Sequence, residues 1–213
     1  MQTKKYYIFD FDGTLVDSMP YWATKMIRIL DKSNIKYPSD IITTVATLGD
    51  LGTAKYFKDV LEVKFSIEEM LKMMDEYALP KYKNEIGLKD GVFDALCAFK
   101  KRGVSLNVLT ASPHKMLDPC LNRNDLFDLF DNVWATDDFS LPKTDVNIYK
   151  SALTKLGAGA TETAFFDDNL SALETAKKAG LFTVGVYDET SKTFIQKIKS
   201  IVNKFIYSFS ELI

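Results

Sequence analysis

Two aspartates one residue apart open the chemistry of this chain, in Phe9-Asp10-Phe11-Asp12-Gly13-Thr14-Leu15-Val16-Asp17-Ser18. The segment follows a short apolar run, Tyr6–Phe9, that reads as a buried strand. Carboxylates at i and i+2 leave such a strand end near one point, where they share a proton or neutralise a cation. A strand-end turn with side-chain capping is the plain structural alternative. Calcium loops also contain Asp-x-Asp-Gly, but Tyr21 stands where an EF-hand places its bidentate Glu.

Three more strand ends carry polar groups. Leu109-Thr110-Ala111-Ser112 offers a hydroxyl and backbone amides, a combination suited to anionic oxygens. Lys143 follows Pro142 and precedes a helix beginning near Asp145, where a point cation could balance a dianion. Ala164-Phe165-Phe166 ends in Asp167-Asp168-Asn169. Two acids at a helix start can merely favour its dipole. Joined with Asp10 and Asp12, they make an oxygen-rich pocket for a hard cation such as Mg²⁺.

These groups need a scaffold that brings strand ends together. Tyr6–Phe9, Val104–Leu109, Val133–Ala135, Ala164–Phe166 and Thr183–Tyr187 are continuous apolar runs, as strands buried on both faces require. Helical patterns lie between the later ones: Val92, Leu96 and Phe99; Ile148, Ala152 and Leu156; Ala172, Ala176 and Ala179. Each ends near a Gly, a common helix stop. The alternation predicts an α/β, doubly wound parallel sheet with a Rossmann-like core, whose ligands bind at the carboxyl ends of the strands. Cys97, beside Leu96, reads as a small core residue.

Residues 16–86 break the alternation. Trp22, Met26, Ile29 and Leu30 form one helical face, and Ile67, Met70, Leu71, Met74 and Tyr77 form another. Ser66 and Glu69 make a capping-box pattern at the start of the second. The expectation is an inserted all-helical cap domain over 16–86, with the catalytic core formed by 1–15 and 87–213. Ser191 to Ile213 reads as a basic amphipathic helix with a short apolar tail.

Composition narrows the chemistry further. The chain has 213 residues, 27 Lys+Arg against 29 Asp+Glu, one His and two Cys. Its net charge of −2 supplies no global field for nucleic acid or an acidic membrane. One histidine excludes any site with several His ligands, and two cysteines make no disulfide framework. No apolar run approaches the ~18 residues of a membrane span. Carboxylate chemistry in a reduced, cytoplasmic setting is the expectation, with oligomeric state left open.

The order Asp-x-Asp-Gly-Thr, then Thr, then Lys, then Asp-Asp, each after a strand, resembles the haloacid dehalogenase superfamily. The resemblance covers nearly the whole chain. Its insertion point implies the helical cap type of the phosphoglycolate phosphatase-like and β-phosphoglucomutase-like members. It implies a nucleophile at Asp10, a general acid and base at Asp12, and phosphate contacts from Thr110, Ala111 and Lys143. It also implies Mg²⁺ held by Asp10, Asp12 through its carbonyl, and Asp168; Asp167 falls where relatives carry Gly or Glu. The loop Leu48-Gly49-Asp50-Leu51-Gly52 resembles the family's substrate-specificity loop, with a helix–helix turn as the alternative. His114, just past the Thr110 turn, is a further candidate for substrate contact, or else a plain helix-start histidine. Many relatives read Lys-Pro-x-Pro-x-x-Tyr from the lysine onward; here both of those prolines are replaced, in Lys143-Thr144-Asp145-Val146-Asn147-Ile148-Tyr149, while Tyr149 keeps its place.

The implied activity is Mg²⁺-dependent hydrolysis of a small phosphorylated metabolite through an aspartyl-phosphate on Asp10, with cap closure excluding water. Thr14 stands where mutases tend to carry Val, which favours hydrolysis over a sugar phosphomutase. Asp12 argues against a dehalogenase. A signalling receiver also pairs acids with a Thr and a Lys, but it places the acid pair before its phospho-accepting Asp.

Overall fold

A computed structural model describes residues 4–45 and 48–213. Six strands form one parallel sheet: β1 Tyr6–Phe9, β2 Ser105–Thr110, β3 Asn132–Ala135, β4 Thr163–Asp167, β5 Phe182–Val186 and β6 Lys204–Ile206, in the order β3-β2-β1-β4-β5-β6. Phe9 lies opposite Val108 on one side and Phe166 on the other. From β1 the chain first winds outward through β2 and β3, then crosses to β4 and winds the other way. The strand order therefore reverses between β1 and β4, and a doubly wound sheet opens its ligand crevice at that point.

Alternating side chains give the sheet two buried faces. Tyr7, Phe9 and Phe166 pack on Phe99 and Phe209, with the Phe9 and Phe166 rings stacked at 4.6 Å. Ile8, Leu109 and Phe165 turn to the opposite face, against Ile148, Tyr149, Leu173 and Ala176. Helices α5 Val92–Lys101, α6 His114–Arg123, α7 Val146–Leu156, α8 Leu170–Lys178 and α9 Ile195–Ile201 alternate with the strands from β2 onward. Each fully buried Leu, Ile or Phe contributes roughly 1.5–3 kcal/mol relative to an exposed one. Cys97 departs from its expected core place: Val92, Ala95, Leu96 and Phe99 form the buried face of α5, and Cys97 is partly exposed.

The C-terminal segment also differs from expectation. Instead of one amphipathic helix it forms a 3-10 turn over Glu189–Phe194, then α9, β6 and a second 3-10 turn over Phe209–Leu212. A three-residue edge strand is too short to show a period of two in sequence. Asn203 pins it: Thr183 N donates to Asn203 Oδ1 at 2.8 Å, and Asn203 N donates back to Thr183 O at 3.0 Å.

The chain divides into two compact units, Met1–Asp17 with Ile86–Ile213, and Ser18–Glu85. The second contains α1 Met19–Lys32, α2 Ile41–Val45, α3 Gly49–Asp59 and α4 Ile67–Asn84. Its core gathers Met26, Ile29, Leu30, Phe57, Met70 and Met74, all fully buried. Ser66 caps α4 as its sequence implies, accepting from Glu69 N at 3.1 Å while Ser66 N donates to Glu69 Oε2 at 2.7 Å. No helix among the described residues is long and apolar enough to cross a membrane.

Candidate active site

The site grows from the switch point. Asp10 N donates to Phe166 O at 2.8 Å, so the β1–β4 ladder runs directly into the acidic loop. The chain then turns tightly: Leu15 N and Val16 N donate to Phe11 O at 2.8 and 3.1 Å, and Gly13 N donates to Val16 O at 3.0 Å. Gly13 adopts φ +74°, a left-handed conformation that favours glycine. Its missing side chain matters too, because a β-carbon there would stand 2.8 Å from Asp168 Oδ2.

Asp10, Asp167 and Asp168 bring one carboxylate oxygen each within 4.8 Å of one another, and all three residues are buried. Lys143 Nζ lies 2.6 Å from Asp10 Oδ1 and 2.6 Å from Asp167 Oδ2. Asp167 Oδ1 accepts from Asn169 N at 2.7 Å, while Asn169 itself caps α8. Tyr149 OH lies 3.0 Å from Lys143 O and 3.1 Å from Ala172 O, fixing the lysine's backbone where Thr144 and Val146 stand in place of prolines.

Three buried carboxylates against one ammonium leave an excess of negative charge. Burial pushes Asp10 up to about 7, with the Asp167 and Asp12 charges adding to the rise and Lys143 opposing it. Asp168 is also raised well above the usual carboxylate range, first by burial and then by Asp167, Asp10 and Asp188. For Lys143, burial works against the charge, but Asp10 and Asp167 outweigh it and hold the ammonium firmly protonated. An all-oxygen, charge-excess donor set of this kind fits a hard divalent cation.

The remaining expected residues fall into two groups. Asp12 lies outside the three-carboxylate cluster: Ser112 Oγ donates a short hydrogen bond to its Oδ2, so its carboxylate faces the loop after β2. Thr110 is the last residue of β2, almost fully buried, and its hydroxyl accepts from Ser112 N at 3.1 Å while keeping its own proton to donate. Ala111 follows at the exposed turn.

His114 lies outside the carboxylate cluster of its own unit. Both ring nitrogens of His114 are engaged, Nδ1 with Asp118 and Nε2 with Asp138, each at 2.9 Å. Gly49 and Asp50 belong to the helical unit, where the expected loop is the first turn of α3. Asp50 pairs there with Lys25 at 2.7 and 2.9 Å, and Lys25 is itself buried.

Several residues hold Asp168 and its neighbours through contacts that local sequence does not show. Thr14 Oγ1 donates to Asp168 Oδ1 at 3.2 Å, and Ser191 Oγ donates to Asp168 Oδ2 at 3.3 Å. Lys89 reaches Gly13 O, Tyr187 O and Asp188. Asp188 had a usable signal, since it stands just past the carboxyl end of β5.

A family model described as haloacid dehalogenase-like hydrolase matches residues 7–186. The chain is similar to a phosphorylated carbohydrates phosphatase of Thermotoga maritima, 27% identical over 174 residues that cover 82% of this chain and 81% of the relative. It is also similar to validoxylamine A 7'-phosphate phosphatase of Streptomyces hygroscopicus subsp. limoneus, 24% identical over 186 residues, 84% of each chain. Among solved structures, CbbY from Rhodobacter sphaeroides in complex with phosphate shares the fold, with a TM-score of 0.84 at 20% identity over 99% of this chain and 96% of that one.

Proposed function

The chain belongs to the haloacid dehalogenase-like hydrolases, and on that footing we propose a divalent-metal-dependent phosphatase of small phosphorylated metabolites, working through an aspartyl-phosphate on Asp10. The observation that carries this reading is the cluster itself. Asp10, Asp167 and Asp168 converge within 4.8 Å, and Lys143 sits 2.6 Å from Asp10. The chain is a phosphoric monoester hydrolase, in keeping with relatives that are named phosphatases.

Asp10 supplies the attacking oxygen, forming a bond to phosphorus as the ester oxygen leaves on the opposite side. Asp12, held by Ser112, gives its proton to that oxygen. The resulting Asp12 carboxylate then takes a proton from the water that attacks the aspartyl-phosphate, releasing inorganic phosphate and restoring both residues. Lys143, Thr110 and the amides beside Ala111 offset charge on the non-bridging oxygens. Mg²⁺ bound by Asp10, Asp167 and Asp168, with the Asp12 carbonyl, would favour the charged form of Asp10 and reduce its repulsion of the phosphate.

The helical unit is assigned the choice among phosphate esters, with phosphorylated carbohydrates first in view of the Thermotoga relative's name. Two free cysteines, Cys97 and Cys120, support a reducing, cytoplasmic setting. The test is a panel of sugar phosphates, phosphoglycolate and nucleoside monophosphates, assayed for released phosphate with Mg²⁺ and again with a chelator. Mg²⁺-dependent release from at least one ester is expected. Release that survives the chelator would remove the metal from the account.

A further inference from the structure

Lys89 occupies an unusual position for a lysine that belongs to no catalytic motif. Its ammonium is largely buried, with its side chain 14% exposed and that of its partner Asp188 6% exposed. It has three N–H donors and three acceptors: Gly13 O at 2.7 Å, Tyr187 O at 2.6 Å and Asp188 Oδ2 at 2.9 Å. Its backbone joins the same loop, because Lys89 N donates to Leu15 O at 3.0 Å. With all three protons used, the side chain has none left for a substrate.

What these bonds connect gives the residue a role. Gly13 follows β1, and Tyr187 follows β5. In the sheet, β4 lies between those two strands, and Asp168 stands at its end. Lys89 thus ties together the two strand ends that flank Asp168, across a span of about two strand spacings.

Each end then acts on Asp168 directly. On the β1 side, Gly13 leaves the space that the Asp168 carboxylate occupies, and Thr14 donates to Asp168 Oδ1. On the β5 side, Asp188 Oδ1 accepts from Thr190 N at 2.9 Å and Thr190 Oγ1 at 2.6 Å, shaping the turn from which Ser191 donates to Asp168 Oδ2. The lysine also offsets the charge of Asp188, which would otherwise add to a site already rich in carboxylates.

We infer that Lys89 is a positioning residue for the reaction: it clamps the Gly13–Leu15 turn to the end of β5 and so fixes Asp168 and the backbone that follows directly after the two reacting aspartates. The inference rests on the phosphatase reading above for its catalytic consequence, but not for its structural one. A bidentate Arg cannot replace the clamp, because a planar fork does not direct three donors from one point.

The experiment compares the full chain with Lys89→Met and Lys89→Arg by two readouts, kinetics on p-nitrophenyl phosphate with Mg²⁺ and amide hydrogen exchange. In Lys89→Met, kcat is expected to fall about 10- to 100-fold, as small misplacements of reacting groups do, with KM within about twofold. The Gly13, Leu15 and Val16 amides are expected to exchange at least about tenfold faster, while Ile8 and Phe9 in β1 keep their protection. Lys89→Arg is expected to recover less than half of the lost kcat. If Lys89→Met does not fold, Lys89→Met with Asp188→Asn removes the stranded charge and is expected to show the same two losses.

A folded variant with unchanged loop exchange, or with kcat within twofold of the parent, overturns the inference. If the parent chain itself turns over no phosphate ester, the functional reading fails instead. Exchange at Gly13, Leu15 and Val16 then decides the clamp alone, faster exchange upholding it and unchanged exchange overturning it.

Discussion

The β-carbon that Gly13 lacks would stand 2.8 Å from Asp168 Oδ2. The turn after β1 and the acid after β4 therefore interlock, and the glycine is required by both conformation and space. Gly13→Ala is expected to cost about 1–2 kcal/mol for the left-handed backbone alone, read as a lowered melting temperature. Because Asp168 must also move, phosphatase turnover is expected to fall further than stability does, by roughly 100-fold.

Thr14 tests the finer placement of the same acid. Thr14→Val keeps the shape and removes the donor to Asp168 Oδ1. The expected stability loss is about 0.5–1.5 kcal/mol, with a several-fold weaker dependence of activity on Mg²⁺. A Mg²⁺ titration of initial rates compares the two proteins.

On the proposed reading, a proton and a bound cation would compete for the carboxylates. Burial raises Asp10 to about 7 in the folded chain, against 3.8 for the free group. A raised folded value contributes stability that is fully present below the unfolded pKa and is lost as pH rises through the folded one. In chelator, this group therefore destabilises the fold progressively between about pH 4 and pH 7. Added Mg²⁺ is expected to raise the melting temperature more at pH 8 than at pH 5. An equal gain at both would separate Asp10 from the cation.

His114 is expected to act on stability and not on turnover. Its hydrogen bonds to Asp118 and Asp138 raise its pKa, so its contribution is present below about pH 6.5, the unfolded value, and fades as pH rises through the folded value. The ring is 42% exposed and solvent screens the pairs, so the effect is small. Thermal melts of His114→Gln should diverge from the parent at pH 5.5 and approach it at pH 9, while kcat and KM at neutral pH stay within about twofold.

The legible parts of this molecule were those written in contiguous residues. Continuous apolar runs marked β1 through β5 because a sheet buried on both faces leaves no alternation to obscure. Ser66 with Glu69 marked the start of α4 for the same local reason. The edge strand Lys204–Ile206 was too short for any period to show. Gly49 and Gly52 suggested a loop, yet the segment is helical, and Asp50 is held by Lys25 twenty-five residues earlier. Lys89 was illegible for a stronger reason: its side-chain acceptors lie 76, 98 and 99 residues away in sequence. Only the β1-β4-β5 strand order makes a clamp of it.

The central claim is that Asp10 becomes phosphorylated and releases phosphate in each turnover. It is tested most directly by comparing the parent chain with Asp10→Asn in Mg²⁺, using p-nitrophenyl phosphate and acid-quenched mass spectrometry of the peptide containing Asp10. The account predicts an unchanged fold, a turnover loss of at least about a thousandfold, and a phosphoryl adduct on Asp10 of the parent that Asp10→Asn lacks. Turnover of Asp10→Asn within tenfold of the parent, or an adduct that persists in it, would contradict the account.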